Sequence, residues 1–411
     1  MKIGFDVAQT CSERAGCAWY ADSLIRAMVK LAPKDDFFLY HQFGDWINPS
    51  TQAGTMISAP NVTNTFTDIT PHEAARIWQS PPELLIKTGA PDIVHATSFR
   101  SPKVLGAKLV FTVYDVSFWA VPQFTTEANR LACQAGNLQA LQNADGFLFI
   151  SQSARDEFER FLPDWLETNK RPWAVTPLAP RQSISPHPAL IKTGDRYFLA
   201  VGSLEPRKNY EALLDALELY WATTQHKTPL WIAGGPGWRS KKLKDRINHL
   251  ETSGEVRYLG YIPDSELGNL MADAQALVFP SWYEGFGLPI VEAMACGCPV
   301  ICSGNTSLRE AGGNAAVYVD PNAPLSIATA MHELERAPSI RAELRQKGLA
   351  WSKSFTWDQT AEATLRFYNK IMASDYPKPP SPQTARTPHR TKDRPIGSHA
   401  SNSPGTVTEI K

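Results

Sequence analysis

Short apolar runs alternate with longer stretches of helical period along most of the 411-residue chain. Residues 2–7, 36–41, 93–96, 108–113 and 146–150 form the first set of runs, and 197–201, 229–233, 256–259, 276–279, 299–302 and 316–319 the second. Each predicts a strand covered on both faces, because an unbroken apolar run suits the interior of a parallel sheet. Helical period is carried by 18–30, 127–142, 154–161, 209–221, 241–251, 264–272, 289–295 and 324–347. Regular alternation of the two predicts parallel sheets with helices on both sides, an α/β chain.

The pattern restarts near Asp195, after the proline-rich stretches 176–180 and 185–188. A hinge at about 175–194 therefore separates two doubly wound domains, 1–178 and 179–356. Sheets of this kind bind ligands beyond the carboxyl ends of their strands, which predicts a cleft between the domains. On 357–373, Ala361, Leu365, Phe367, Tyr368 and Ile371 recur at helical spacing and form a stripe suited to packing. From Ser374 the chain is rich in Pro, Ser, Thr and Arg and lacks apolar period. Such composition cannot bury a core, so 374–411 is expected to be a disordered, solvated tail; transient contact of its basic residues with a membrane surface is the alternative.

Composition adds exclusions. Hydrophobic residues make up 43% and charged residues 20%, and 41 Lys+Arg balance 41 Asp+Glu. That balance supplies no field favouring nucleic acid or an anionic bilayer. The start, Met1-Lys-Ile-Gly-Phe-Asp-Val, reads as a strand and not as a signal peptide, and no apolar run reaches membrane-spanning length. The expected location is the cytoplasm, with peripheral contact at the inner face of the membrane as an option. Cys11, Cys17, Cys133, Cys296, Cys298 and Cys302 form no Cys-x-x-Cys pair and no zinc-like spacing, so they read as structural thiols.

The most telling segment is Ser281-Trp-Tyr-Glu-Gly-Phe-Gly-Leu-Pro-Ile-Val-Glu, which follows one apolar run and opens a helix at Pro289. Proline suits a helix start because it has no N–H to leave unpaired. Glu284 is placed in a strand-to-helix loop and Glu292 in the first turn, with Gly285 and Gly287 letting backbone approach a ligand closely. Two carboxylates, each able to accept two hydrogen bonds from a diol, suit a ligand rich in hydroxyls. Singly, a solvated loop carboxylate and a dipole-stabilising first-turn carboxylate are the simpler readings; the whole constellation favours the ligand. Upstream, Val201-Gly-Ser-Leu-Glu-Pro-Arg-Lys-Asn also lies between strand and helix. Gly202 permits a tight turn, and Arg207 and Lys208 put two cations beside a helix start, as pyrophosphate binding requires or as a solvated loop would also show.

Glu284 through Gly-Phe-Gly-Leu-Pro to Glu292, with the following Ala-Met-Ala-Cys-Gly-Cys-Pro-Val, resembles the signature of the type-4 family of retaining glycosyltransferases, whose fold is the two-Rossmann GT-B. The resemblance covers most of residues 1 to about 373 and points to the mannosyltransferase-like members. It implies that Glu284 holds hydroxyls of a donor sugar, that Glu292 holds the nucleotide ribose, and that Gly285, Phe286, Gly287 and Leu288 line the donor. It also implies that Arg207 and Lys208 hold the diphosphate, that Gly16 and Gly202 offer backbone to it, and that Tyr261 or Ile262 contacts the base. Tyr114-Asp115 stands where many relatives have His-Asp, on the acceptor side; Asp115 either orients the acceptor hydroxyl or caps a turn. His95 reads as a satisfied buried histidine. The last helix, in this family, crosses back to the N-terminal domain.

No Asp-x-Asp occurs in the chain, so the expected enzyme needs no metal and no cofactor, and cations with helix-start amides neutralise the leaving diphosphate. The expectation is transfer of a hexose, GDP-mannose being the first candidate donor, to a glycan or lipid-linked acceptor in polysaccharide biosynthesis. Rivals are a UDP-sugar 2-epimerase on the same fold and a non-catalytic sugar-nucleotide binder. A dinucleotide oxidoreductase is disfavoured because no Gly-x-Gly-x-x-Gly follows the first strand.

Overall fold

The computed structural model describes residues 1–10, 16–43, 54–79, 87–104, 106–185, 197–224 and 227–373. Cys11 and the expected disordered tail, 374–411, lie outside the described residues.

Seven strands build the first sheet: β1 (Lys2–Asp6), β2 (Asp36–Tyr40), β3 (Val62–Thr65), β4 (Ile93–Ala96), β5 (Lys108–Val113), β6 (Gly146–Phe149) and β7 (Trp173–Val175). Six more build the second: β8 (Phe198–Val201), β9 (Leu230–Ala233), β10 (Val256–Gly260), β11 (Ala276–Phe279), β12 (Val300–Ser303) and β13 (Ala316–Val319). The orders are β3-β2-β1-β4-β5-β6-β7 and β10-β9-β8-β11-β12-β13, with every pairing parallel. Both sheets belong to one compact unit, Met1–Pro379. Strand order reverses between β1 and β4 in one sheet and between β8 and β11 in the other. The loops leaving those strands therefore diverge to opposite faces and open a crevice at each switch point.

The central strands β4, β6, β8, β9, β11 and β12 are buried at every residue, which accounts for their unbroken apolar runs. Two strands were absent from the sequence reading, β3 and β7. Both are edges, pairing only with β2 and β6; an edge strand needs less apolar surface, and β3 is Val-Thr-Asn-Thr. The helix Pro71–Gln79 was also unread. The expected single helix 324–347 is two, Pro324–Arg336 and Pro338–Ser352. Pro338 lacks the N–H and its ring opposes the preceding turn, so one helix must end before it.

The helix Trp357–Met372 returns to the first sheet. Gly146 at the start of β6 faces it so closely that an added Cβ would sit 2.6 Å from Ile371 and 2.9 Å from Phe367. Tyr368 shares a 2.6 Å hydrogen bond with His95 Nδ1, and His95 Nε2 shares another, at 2.7 Å, with Thr112. His95 is thus a buried, fully satisfied ring, which burial holds in the neutral form with its pKa down at about 3. At its start the same helix grips the hinge: Trp357 Nε1 donates to the Pro180 carbonyl at 3.0 Å and Thr360 Oγ1 to that of Pro177 at 2.6 Å.

Candidate active site

The two switch-point strands of the second sheet deliver one cluster. Arg207 and Lys208 follow β8, and Glu284 follows β11. Arg207 Nη1 donates to Glu284 Oε2 at 2.6 Å and Lys208 Nζ to Oε1 at 2.7 Å, while Arg207 Nη2 donates to Glu205 at 2.7 Å. Burial opposes the charge on Glu284, but Arg207 and then Lys208 overcome it and hold the carboxyl down at about 2. Burial works against the Arg207 charge too, and Glu284, Glu205 and Asp115 outweigh it, so the guanidinium stays protonated.

Backbone fixes this arrangement before any ligand arrives. Trp282 N–H donates to the Arg207 carbonyl at 2.9 Å, so the two loops are tied at main-chain level. Asn209 adopts φ 59° to start the helix Tyr210–Thr223, and its side-chain amide donates to the carbonyls of Pro280 and Pro321. Gly202 has φ +141°, and its carbonyl packs so tightly on Gly234 that a Cβ there would lie 2.0 Å away.

Glu292 departs from the sequence reading in position, and it has a protein partner that the sequence did not indicate. The helix runs Leu288–Ala295 and begins at Leu288, one residue before Pro289; Glu292 is past its first turn. Its side chain is fully buried, and both oxygens meet one guanidinium: Arg181 Nε to Oε1 at 2.5 Å and Nη2 to Oε2 at 2.9 Å. Arg181 Nη1 also donates to Asp264 at 2.7 Å, and its guanidinium carbon lies 4.8 Å over the Trp19 ring. Sequence reasoning missed Arg181, Asp264 and Trp19. The only hint was a cation inside the hinge, immediately after the first proline-rich stretch.

Gly285, Phe286, Gly287 and Leu288 line the same cavity and make close contacts within the protein as well. A Cβ on Gly285 would stand 2.3 Å from the Tyr114 carbonyl, so the close approach there is to the N-terminal domain. Gly285 accepts from Ser151 Oγ at 2.6 Å across the same boundary. Gly287 holds φ 109° as the residue before the helix, a conformation glycine adopts without a steric penalty. Phe286 is buried against Phe355, and Leu288 is nearly buried as well.

The wall contributed by the first sheet carries Tyr114 and Asp115. The Tyr114 hydroxyl donates to the Thr97 carbonyl at 2.5 Å, so it is committed within its own domain. Asp115 accepts from the Ser117 N–H at 2.8 Å, a turn cap, and its charge acts on Arg207 across the cleft. Gly16 opens the helix Gly16–Leu31 and is exposed, Tyr261 is 59% exposed on the opposite wall, and both line the cavity with Ile262. That cavity, of about 600 Å³, brings together Gly16, Tyr114, Asp115, Gly202, Arg207, Lys208, Tyr261, Glu284 and Glu292. Further hydrogen bonds link the two domains: Trp238 Nε1 donates to the Phe124 carbonyl at 2.7 Å, and Glu310 accepts from the backbone N–H groups of Gln152 and Ser153.

The five described cysteines are free thiols. Cys298, where burial is the main cause, is pushed up to about 12, the behaviour of a small core residue.

Two doubly wound domains facing a charged cleft are the GT-B architecture of glycosyltransferases. The family model of glycosyl transferases group 1 matches residues 182–351. The O-antigen chain mannosyltransferase B of Escherichia coli is 34% identical over 285 residues, which cover 68% of this chain and 74% of that protein. The chain belongs to the group 1 glycosyltransferases. A second relative, the serotype-specific mannosyltransferase WbdA of Escherichia coli, is 26% identical over 326 residues, covering 74% of this chain but only 40% of that protein. Among solved structures, the sucrose-phosphate synthase of Thermosynechococcus elongatus superposes with a TM-score of 0.67 at 18% identity, over 90% of this chain and 99% of the other. The two Escherichia coli relatives are mannosyltransferases by name and lend no support to an epimerase or a non-catalytic binder. No helix of the described residues is long and apolar enough to cross a membrane.

Proposed function

We propose that this glycosyltransferase moves a mannosyl residue from a nucleotide diphosphate donor, GDP-mannose first, to a hydroxyl of a growing or lipid-linked glycan, with retention and without a metal. The observation that carries this is the Glu284–Arg207–Lys208 cluster at the carboxyl ends of β8 and β11. Mannose is favoured by the names of the two relatives, an O-antigen chain mannosyltransferase and a serotype-specific mannosyltransferase. In the reaction the bond from C1 of the sugar to the phosphate oxygen breaks. The acceptor oxygen bonds to C1 on the same face, and its proton passes to the departing phosphate oxygen. Arg207 and Lys208 exchange part of their contact with Glu284 for the diphosphate, whose charge grows as the bond breaks. Glu284, thereby released, accepts from sugar hydroxyls, and Glu292 from the ribose diol. Asp115, on the far wall, orients the acceptor hydroxyl.

The work is done in the cytoplasm, with peripheral contact where the acceptor is lipid-linked. Incubating the chain with GDP-, UDP- and ADP-sugars, acceptor glycan and EDTA tests the proposal. Release of nucleoside diphosphate with an α-glycoside product from an α-linked donor supports it. A 2-epimerised sugar nucleotide without glycoside, or an inverted product, refutes it.

A further inference from the structure

Arg181 sits where four elements meet. It leaves the hinge just after Pro180 and forks onto both oxygens of Glu292. It reaches Asp264 at the start of the helix Asp264–Asp273 and lies under the Trp19 ring of the N-terminal helix. Only 11% of its side chain is exposed, and Glu292 has no exposure. A carboxylate desolvated to that degree keeps its charge only beside a fixed counter-charge, and breaking such a pair leaves an uncompensated buried ion. The fork uses one lone pair on each oxygen and fixes the carboxylate plane. The Arg181 backbone N–H adds a longer contact to Oε1, at 3.5 Å, so the acceptor position left for a further donor is on Oε2.

We infer that Arg181 is a positioning residue for the donor: it supplies the buried counter-charge of Glu292 and fixes the carboxylate plane so that it can accept from the hydroxyls of the nucleotide ribose. The inference rests on the proposed ribose role of Glu292. The groups facing Glu292 are Arg181 from the hinge, Asp264 from the neighbouring helix, and Cys296 one turn along its own helix; Tyr261 acts on Arg181. Burial pushes the Glu292 carboxyl above the ordinary carboxylate range, Arg181 pulls it part of the way back, and Asp264 adds to the upward push. Burial also pushes the Cys296 thiol up to about 12, so it stays neutral across the working range. Without Arg181, burial and Asp264 act on Glu292 unopposed, and the carboxyl takes a proton at higher pH.

The test is calorimetric binding of GDP and of its 2′,3′-dideoxy analogue between pH 5 and 8, with thermal melts as the check on folding. In the wild-type chain GDP should bind about tenfold to a hundredfold tighter than the analogue, the usual weight of hydrogen bonds to a charged group. Arg181→Met should abolish that preference and move the acid limb of GDP binding up by about one pH unit or more. Arg181→Lys keeps the charge but loses the fork, so its acid limb stays put while the ribose preference falls. The pair Arg181→Met with Glu292→Gln should bind weakly with no acid limb, which assigns the limb to Glu292. Equal wild-type affinity for the two ligands sinks the ribose assignment itself. A wild-type preference that Arg181→Met preserves, or tighter GDP binding by that variant, overturns the inference while leaving the ribose reading intact.

Discussion

Lys208 Nζ and Glu284 Oε1 stand 2.7 Å apart although 76 positions separate them, with Arg207 on the other oxygen of the same carboxylate. Glu284 thus engages both cations, and in the proposed reaction the donor diphosphate would compete with it for them. Lys208→Ala and Arg207→Ala should each lower kcat by about 100-fold, near the 2.7–4 kcal/mol lost with one donor to a developing oxyanion, and raise donor KM less. Steady-state kinetics decide; a change confined to KM would mean that the cations bind only the ground state.

Glu284 gives a pH prediction with a definite sign. Its folded pKa, about 2, lies below the ordinary 4.5. The stability it contributes is fully present above pH 4.5 and is lost as pH falls toward 2. Rate loss between pH 5 and 8 should then not be traceable to Glu284. In Lys208→Met its titration should move upward and bring an acid limb into kcat/KM, which a pH–rate profile of the two chains measures.

Chelation follows from the cation pair. Because Arg207 and Lys208 supply the positive charge, EDTA should leave turnover unchanged. Loss of activity that added Mg²⁺ restores would refute the metal-free mechanism.

Gly285 fits against the Tyr114 carbonyl with no room for one methyl group. Gly285→Ala should push the two domains apart at the cleft while each sheet stays folded. A shift of about 1 Å at the reacting groups costs on the order of 100-fold in rate, so kcat should fall while circular dichroism is unchanged and the radius of gyration from X-ray scattering rises. Normal turnover would show that the contact is not needed for chemistry.

His95 also loses its contribution as pH falls, but through burial of a neutral ring and not through an ion pair. Burial lowers its pKa from 6.5 to about 3, so the neutral ring's contribution is present above pH 6.5 and is lost as pH falls through that range. Melting temperature should drop between pH 6.5 and 4, and less so in His95→Asn. Tyr368→Phe should cost about 1–3 kcal/mol by leaving a buried partner unpaired. Ending the chain at residue 356 should cost far more than ending it at 373, as thermal melts of the two truncations would show.

What the sequence disclosed and what it hid follow from the range of the forces involved. Central strands declare themselves because burial on both faces demands apolar residues at every position, and the loops after β8 and β11 because their glycines and charges lie close together in the chain. The edges β3 and β7 carry no such demand. Pro71–Gln79 did leave a local sign: Thr70 and Glu73 cap each other's backbone N–H, at 3.2 and 2.8 Å, the Thr-x-x-Glu box. Arg181 left only its place beside Pro180, since its partners lie 83 and 111 positions onward. For the same reason Gly285 could be read as permissive backbone, but not as the neighbour of Tyr114.

The returning helix sets the order in which this protein can be born. The first sheet leaves the ribosome about 180 residues before Trp357–Met372 is made. Until then Gly146 has no Ile371 and Phe367 against it, and His95 has no Tyr368. Synthesis thus produces a half-covered N-terminal domain that must wait, apolar side open, for the last helix. The nascent chain is a client for a holding chaperone, and a stalled or prematurely terminated message would release an aggregation-prone fragment in place of a smaller working enzyme.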